Sequence, residues 1–202
     1  MIIAAQFDPI THDRLNQAQY VGWLGQQYHV ATQMPDSLRL AADHVRDQAL
    51  ALWLRRCAAH EQGFDRLIRQ DLDTLHATIL APTAKTRLLL EGGRLIAASD
   101  RAYRILGLVA FWDQQSQTVS QIQRSLPKNL CAANRFLQAS RSCEPDRIPD
   151  AHGFIQRLPD EQQGEIRQQM HEFVSLYTAF HRIAVSFESS TASLAETTDT
   201  QG

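Results

Sequence analysis

Positions 50, 54, 57, 61, 64, 68, 71 and 75 of the chain carry Leu, Leu, Cys, Glu, Phe, Ile, Asp and Leu. Steps of four and three alternate without a break, which is the period of one helix face turned into a bundle. A seam of this length predicts one helix from about Ala49 to Leu75, with two carboxylates, Glu61 and Asp71, on its inward side. The same periodicity recurs elsewhere. It predicts a first helix over about His12 to Met34 that Pro35 terminates, and a short second helix over Asp36 to Val45. Pro82-Thr83 opens another helix, which Gly92-Gly93 is expected to kink or split. A long one covers about Asp100 to Leu126, with Ile105, Val109, Trp112 and Val119 on one face. A short helix follows over Asn129 to Ala139, then a loop from Ser140 to Pro149. The last helix covers Asp160 to Phe187, with Ile166, Met170, Phe173, Tyr177, Phe180, Ala184 and Phe187 as its stripe. No segment shows the period of two that marks a strand. The prediction is an all-α, single-domain helical bundle of six to eight helices.

Composition agrees with this and excludes several classes of function. The 202 residues include only 9 Gly and 7 Pro, few for a loop-rich fold. A chain of this length buries enough surface to fold without a disulfide or structural metal. Lys and Arg number 20 against 22 Asp and Glu, a net charge of −2, which gives no general attraction to nucleic acid or to an anionic membrane. The cations are almost all Arg, with Lys only at 85 and 128. Arg55, Arg56, Arg66 and Arg69 line one side of the seam helix, a solvated face in the absence of interleaved aromatics. The cysteines, Cys57, Cys131 and Cys143, are odd in number and form no C-x-x-C pair, which points to a reducing, cytoplasmic setting. No run of 18 apolar residues is long enough to span a bilayer. The first residues have neither the basic start nor the apolar core of a signal peptide. Residues 1–10 are expected to be an N-terminal extension, 11–187 the helical domain and 188–202 a flexible, Ser/Thr-rich tail.

Glu61 is the first candidate for chemistry, because a lone carboxylate on an inward face is costly to bury. Three readings stay open: an ion pair with an Arg across the bundle, a metal ligand, or an acid–base group facing a small-molecule pocket. Asp71, nearer the helix end, is expected to be solvated. Eight histidines, at 12, 29, 44, 60, 76, 152, 171 and 181, form no H-x-x-x-H or H-E-x-x-H pair, so no zinc signature is present. His60 and Glu61 are adjacent, but helix neighbours project about 100° apart. His29 shares a face with Gly22, Gly25 and Gln26, where small side chains let another group approach. That group is either a haem, with His29 as axial ligand, or a neighbouring segment to which His29 bonds. There is no G-x-S-x-G elbow and no Gly-rich phosphate loop, and the cysteines read as ordinary thiols. The first 50 residues lack the short helix-turn-helix of a tetracycline-type repressor.

Three stretches in this order resemble the haem-oxygenase-like superfamily, which includes haem oxygenase, thiaminase II, the pyrroloquinoline-quinone synthase and the haem-oxygenase-like di-iron oxidases. Gln19-Tyr-Val-Gly-Trp-Leu-Gly-Gln-Gln-Tyr28-His29 is similar to the family's first helix with its Tyr-His pair. His60-Glu-Gln-Gly-Phe-Asp-Arg-Leu-Ile-Arg-Gln-Asp-Leu72 resembles the oxidases' Glu-x-Gly-His-Asp segment. Leu106-Gly-Leu-Val-Ala-Phe-Trp-Asp-Gln-Gln-Ser116 is similar to the segment that supplies a further carboxylate. The likeness covers about residues 10 to 187. It implies an interior cavity between the seam helix, the Asp100–Leu126 helix and the last helix. It also implies iron ligated by Glu61, Asp113 and His152, with Glu144 and Asp146 as further fillers.

The chain departs from that pattern at Phe64, which stands where the oxidases have a histidine ligand, and after Phe136-Leu137, where no histidine follows until His152. A di-iron centre takes about six side-chain ligands, mostly carboxylate and imidazole. Two functional classes follow. One is an iron-dependent or cofactor-processing oxidoreductase acting on a small organic molecule. In it Glu61 and Asp113 serve as ligands or acid–base groups, and Phe64, Trp112, Tyr28 and His29 line the substrate site. The other is a metal-free relative that binds a ligand or partner in the same cavity. Iron is the expected cofactor ahead of haem. The expected partners are a small-molecule ligand and, in a homodimer, a second copy, with no nucleic acid and no membrane.

Overall fold

The computed structural model describes residues 16–114, 122–124, 126–141 and 151–185. Among them every regular element is helical. They are α1 (Gln17–His44), α2 (Gln48–Glu61), α3 (Phe64–Thr74), α4 (Ala84–Ala97), α5 (Ile105–Gln114), α6 (Arg135–Arg141), α7 (Ala151–Ile155) and α8 (Asp160–Val185). Single 3-10 turns at Ala102–Arg104 and Lys128–Leu130 precede α5 and α6. The two terminal segments, Val119, Cys143, Glu144 and Asp146 lie outside the described residues.

Helix α1 is the axis of the bundle, packing against α2, α3, α4 and α8. It begins at a reciprocal capping box: Asn16 Oδ1 accepts from the Gln19 amide at 2.9 Å, and Gln19 Oε1 accepts from the Asn16 amide at 3.1 Å. Each bond satisfies a backbone N–H that the first turn leaves open. Tyr20, Trp23, Leu24, Val30, Met34, Leu38 and Ala41 then bury one long stripe. The break expected at Pro35 does not occur, and one helix replaces the predicted two. Proline removes the bond to the carbonyl four residues back, a cost of about 3 kcal/mol. Met34 and Leu38 on either side are 4% and 2% exposed, and burial of both adjoining turns outweighs that loss.

The opposite correction applies to the seam helix. It is interrupted at Gln62-Gly63, where Gly63 has φ +101°, a left-handed conformation that favours glycine. The inward register survives the break: Leu50, Leu54, Cys57, Ile68, Asp71 and Leu75 are buried, while Glu61 and Phe64 at the break are half-buried. Helix α4 runs straight through Gly92-Gly93 without the expected split. Gly93 faces Leu108, with room for a Cβ at 3.7 Å. Gly107 on α5 is different. A Cβ there would lie 2.9 Å from the Ile166 carbonyl, so α5 and α8 touch almost backbone to backbone at this glycine. The helix expected from Asp100 begins as a 3-10 turn, and the expected Asn129–Ala139 helix is divided into a 3-10 turn and α6. The five-residue α7 was not anticipated.

Candidate functional site

The break between α2 and α3 places three candidate groups together. Glu61 is the last residue of α2, with His60 Nδ1 3.6 Å from Glu61 Oε1. Their side chains are 32% and 23% exposed, at the boundary between core and solvent. The neighbouring Glu61 carboxylate raises the His60 pKa above the usual 6.5, against partial burial, which lowers it. The His60 ring meets Phe64 edge-on at 5.8 Å, and Phe64 meets Phe136 of α6 edge-on at 5.7 Å. Phe136 in turn lies 5.9 Å from Trp23, and Trp23 stacks on Tyr20 at 6.0 Å. The His60–Glu61 pair thus sits at the outer end of an aromatic file that leads to the axis of the bundle. Periodicity alone did not anticipate His60 as the partner of Glu61, because neighbours on an intact helix diverge.

The other candidates fall into separate places. Trp112 belongs to a second aromatic group, 4.8 Å from Tyr177 and beside Phe111, which lies 5.1 Å from Tyr177. The Gln27 amide Nε2 donates to the Tyr177 hydroxyl, and burial raises the pKa of that phenol. Tyr28 faces outward. Arg69 stacks on its ring at 5.1 Å and donates from Nη2 to its hydroxyl at 2.6 Å. His29 Nε2 lies 2.7 Å from the Leu80 carbonyl. A carbonyl can only accept, so Nε2 carries the proton and in this arrangement has no lone pair for an axial bond to iron. The group that approaches the small residues of α1 is the chain itself: the Leu80 backbone lies 3.5 Å from where a Gly25 Cβ would be. Gln26 completes the attachment, donating to the Ala81 carbonyl and accepting from the Thr83 amide and the Thr86 hydroxyl.

Asp71 also departs from expectation. It is fully buried and unsolvated. Its Oδ1 accepts from the Arg135 amide at 3.0 Å and from Arg135 Nη1 at 3.2 Å, and its Oδ2 accepts from the Phe136 amide at 2.9 Å. An aspartate on α3 therefore caps the first turn of α6 and fixes Phe136 in the aromatic file. The identity of Asp71 and its place on the seam were visible in the sequence. Its acceptor role depends on α6, more than 60 residues away.

The iron ligands implied by the resemblance are not gathered among the described residues, where no three His, Cys, Asp or Glu side chains form a metal-binding group. Phe64 places a ring with no lone pair where the resemblance puts the oxidases' histidine ligand. His152 lies on α7, which packs on α5 and reaches α2 through Phe154 against Trp53 at 5.0 Å. Trp53 precedes Glu61 by eight residues, about 12 Å of helix rise, so α7 meets α2 far from Glu61. Asp113 is on α5, and its side chain lies outside the described set. Of the implied ligands whose side chains are described, Glu61 and His152 are not gathered into one group. A small crevice, lined by Val30, Met34, Leu89, Leu90 and Leu108 with Ser37 as its polar side chain, lies apart from these candidates.

Comparison with known proteins fits this architecture. No family model and no curated protein matches the sequence. Solved structures match in shape. A domain of unknown function with a haem-oxygenase-like fold from Shewanella denitrificans superposes with a TM-score of 0.73 and 14% identity, over 89% of this chain and 84% of that one. A TenA homologue from Pyrococcus furiosus superposes with a TM-score of 0.66 and 8% identity, over 91% and 92%. Identities this low speak for the fold alone, but they do so over nearly the whole length of each chain. The protein therefore has an all-α, haem-oxygenase-like fold.

Proposed function

We propose that the protein is a haem-oxygenase-like enzyme that takes up a small organic molecule beside the α2–α3 break and moves a proton on it through the His60–Glu61 pair. The observation that carries this reading is the meeting of that pair with Phe64. An imidazole whose proton affinity is raised by a carboxylate stands at the edge of an aromatic wall, where a planar ligand can stack and exchange a proton with it. His60 is the acid–base group, and Glu61 orients it and stabilises its charged form. Phe64 and Phe136 provide the apolar surface. The metal-free alternative, a protein that binds the molecule without converting it, uses the same wall but has no need of the dyad.

The test is a thermal-shift screen of the full chain against aromatic carboxylic acids and nitrogen heterocycles, followed by turnover assays on the hits. Phe64→Ala is expected to abolish the shift. Glu61→Gln is expected to keep the shift and lose turnover. A ligand shift indifferent to Phe64→Ala overturns the site, and binding without any turnover selects the binding-protein alternative. Anaerobic loading with Fe(II) gives an independent outcome. Stoichiometric iron that is lost in Glu61→Ala and in Asp113→Ala replaces this reading with the iron-dependent oxidoreductase.

A further inference from the structure

The outward face of α4 has a composition that the monomer does not use. Leu88 and Leu95 are 51% and 73% exposed, two of the three large apolar side chains that stand out among the described residues. They are seven residues apart, which puts them on one stripe about 10 Å long. Gly92 lies between them, and a Cβ there would meet nothing within 4 Å. Beside this stripe are two opposite charges, Glu91 and Arg94. Both are exposed, and neither takes part in the ion pairs formed among the described residues. Arg87, on the same flank, is already bonded to the Pro82 carbonyl.

We infer that this face is a self-association surface, on which α4 of one copy packs antiparallel against α4 of a second copy about a two-fold axis at Glu91-Gly92. The sequence of the stripe is self-complementary about that point. Leu88 of each copy meets Leu95 of the other, so both leucine pairs close at once, and the small Gly92 lets the helices approach at the crossing. In this register Glu91 of one copy stands about 3 Å along the axis from Arg94 of the other, on the same flank. The operation therefore forms two Glu91–Arg94 pairs from charges that form no ion pair among the described residues. A parallel or shifted pairing loses either the leucine contacts or the charge match. This is the isologous arrangement expected of a two-fold dimer. A stable interface buries about 800 Å² on each partner. A two-turn stripe is smaller than that, so the dimer is reversible.

Sedimentation equilibrium of the full chain from about 5 to 500 µM tests the inference, with far-UV circular dichroism to confirm that each variant folds. Monomer and dimer are expected in equilibrium. Leu95→Arg, at a position too exposed to disturb the core, is expected to weaken the dimer by at least about tenfold. Glu91→Arg and Arg94→Glu should each weaken it, and the double exchange Glu91→Arg/Arg94→Glu should restore it. A chain that stays monomeric at the highest concentration overturns the inference, whether the stripe is then covered by the first fifteen residues or by another protein. A dimer indifferent to Leu95→Arg also overturns it. Loss of the dimer without rescue in the double exchange overturns the two-fold register on which it rests.

Discussion

Replacing Asp71 by alanine removes the acceptor for two backbone amides, and the size of the effect can be worked out from its contacts. The Phe136 amide is buried and the Arg135 amide partly buried. The usual local substitute is occupied, because Asn134, in the N-cap position of α6, accepts from Gln138 Nε2 at 2.8 Å. A buried donor left without a partner costs about 1–3 kcal/mol, so two of them give about 2–6 kcal/mol, with about 3–5 kcal/mol as the central expectation. The ion pair contributes little of this, since the Arg135 side chain is 46% exposed and an exposed charge is screened, leaving less than about 1 kcal/mol. Asp71→Ala should therefore lower stability by about 3–5 kcal/mol, and Asp71→Asn, which keeps one acceptor oxygen, by about 2 kcal/mol. Arg135→Ala should cost less than about 1 kcal/mol. For a chain of this size each kcal/mol moves Tm by about 2–4 °C, so Asp71→Ala should melt roughly 6–20 °C lower. Urea unfolding followed by circular dichroism at 222 nm measures all three. If Asp71→Ala and Arg135→Ala fall within about 1 kcal/mol of one another, Asp71 acts as an ion-pair partner and the capping argument fails.

Three further perturbations separate other contacts. His60 binds its proton more tightly in the folded chain, so its contribution to stability is complete below the unfolded pKa of 6.5 and is lost as pH rises through the higher folded value. NMR titration of the His60 ring should show that raised midpoint, and Glu61→Gln should bring it to 6.5 or below; an unchanged midpoint removes Glu61 as its cause. Gly107→Ala drives a methyl group into the Ile166 carbonyl and the Met170 amide, at 2.9 and 3.3 Å, and should destabilise by about 1–3 kcal/mol. Gly164→Ala meets only the end of Arg167, at 3.9 Å, and should stabilise by about 0.5–1 kcal/mol through helix propensity. Equal effects of the two glycine changes in urea would contradict the close α5–α8 crossing. Gln26→Leu leaves the Thr83 amide, the Thr86 hydroxyl and the Ala81 carbonyl without its carboxamide, and unfolding should show a loss of about 2–4 kcal/mol.

The helical class and the inward faces were legible because burial repeats with the helix period, and every described seam position from Leu50 to Leu75 is buried or half-buried. The breaks were less legible, because local propensity and tertiary packing disagree at them. Pro35 is a strong local signal to stop, yet both adjoining turns are buried and the helix continues. Gly63 is a weak signal in the middle of an unbroken seam, yet the chain turns there, and the inward face resumes only because Phe64 follows Glu61 by three residues. Gly92 and Gly93 form a pair that sequence alone treats as a single weak point. In the structure Gly93 is a packing position against Leu108 and Gly92 an open surface position, and neither interrupts α4.

Glu61 and Asp71 show the limit of the same method at the site. They occupy one seam ten residues apart, and periodicity ranks them equally as inward carboxylates. What divides them is what each finds at its own end of the bundle. Asp71 is fully buried and accepts from two amides of α6 and from Arg135 Nη1, so it acts as a structural acceptor inside the protein. Among the described residues Glu61 forms its ion-pair contact with His60, in a position a quarter open to solvent, so it retains acceptor capacity beside a histidine whose pKa it raises. His29 follows the same logic from the other direction. A histidine beside small residues signals that something comes close, and the Leu80 carbonyl already fills that place. In a helical bundle the inward position of a polar residue shows that it must have a partner. Whether that partner is the protein's own backbone or an incoming molecule depends on long-range contacts, and on that criterion the open end of the His60–Glu61 pair is where a ligand can be recognised.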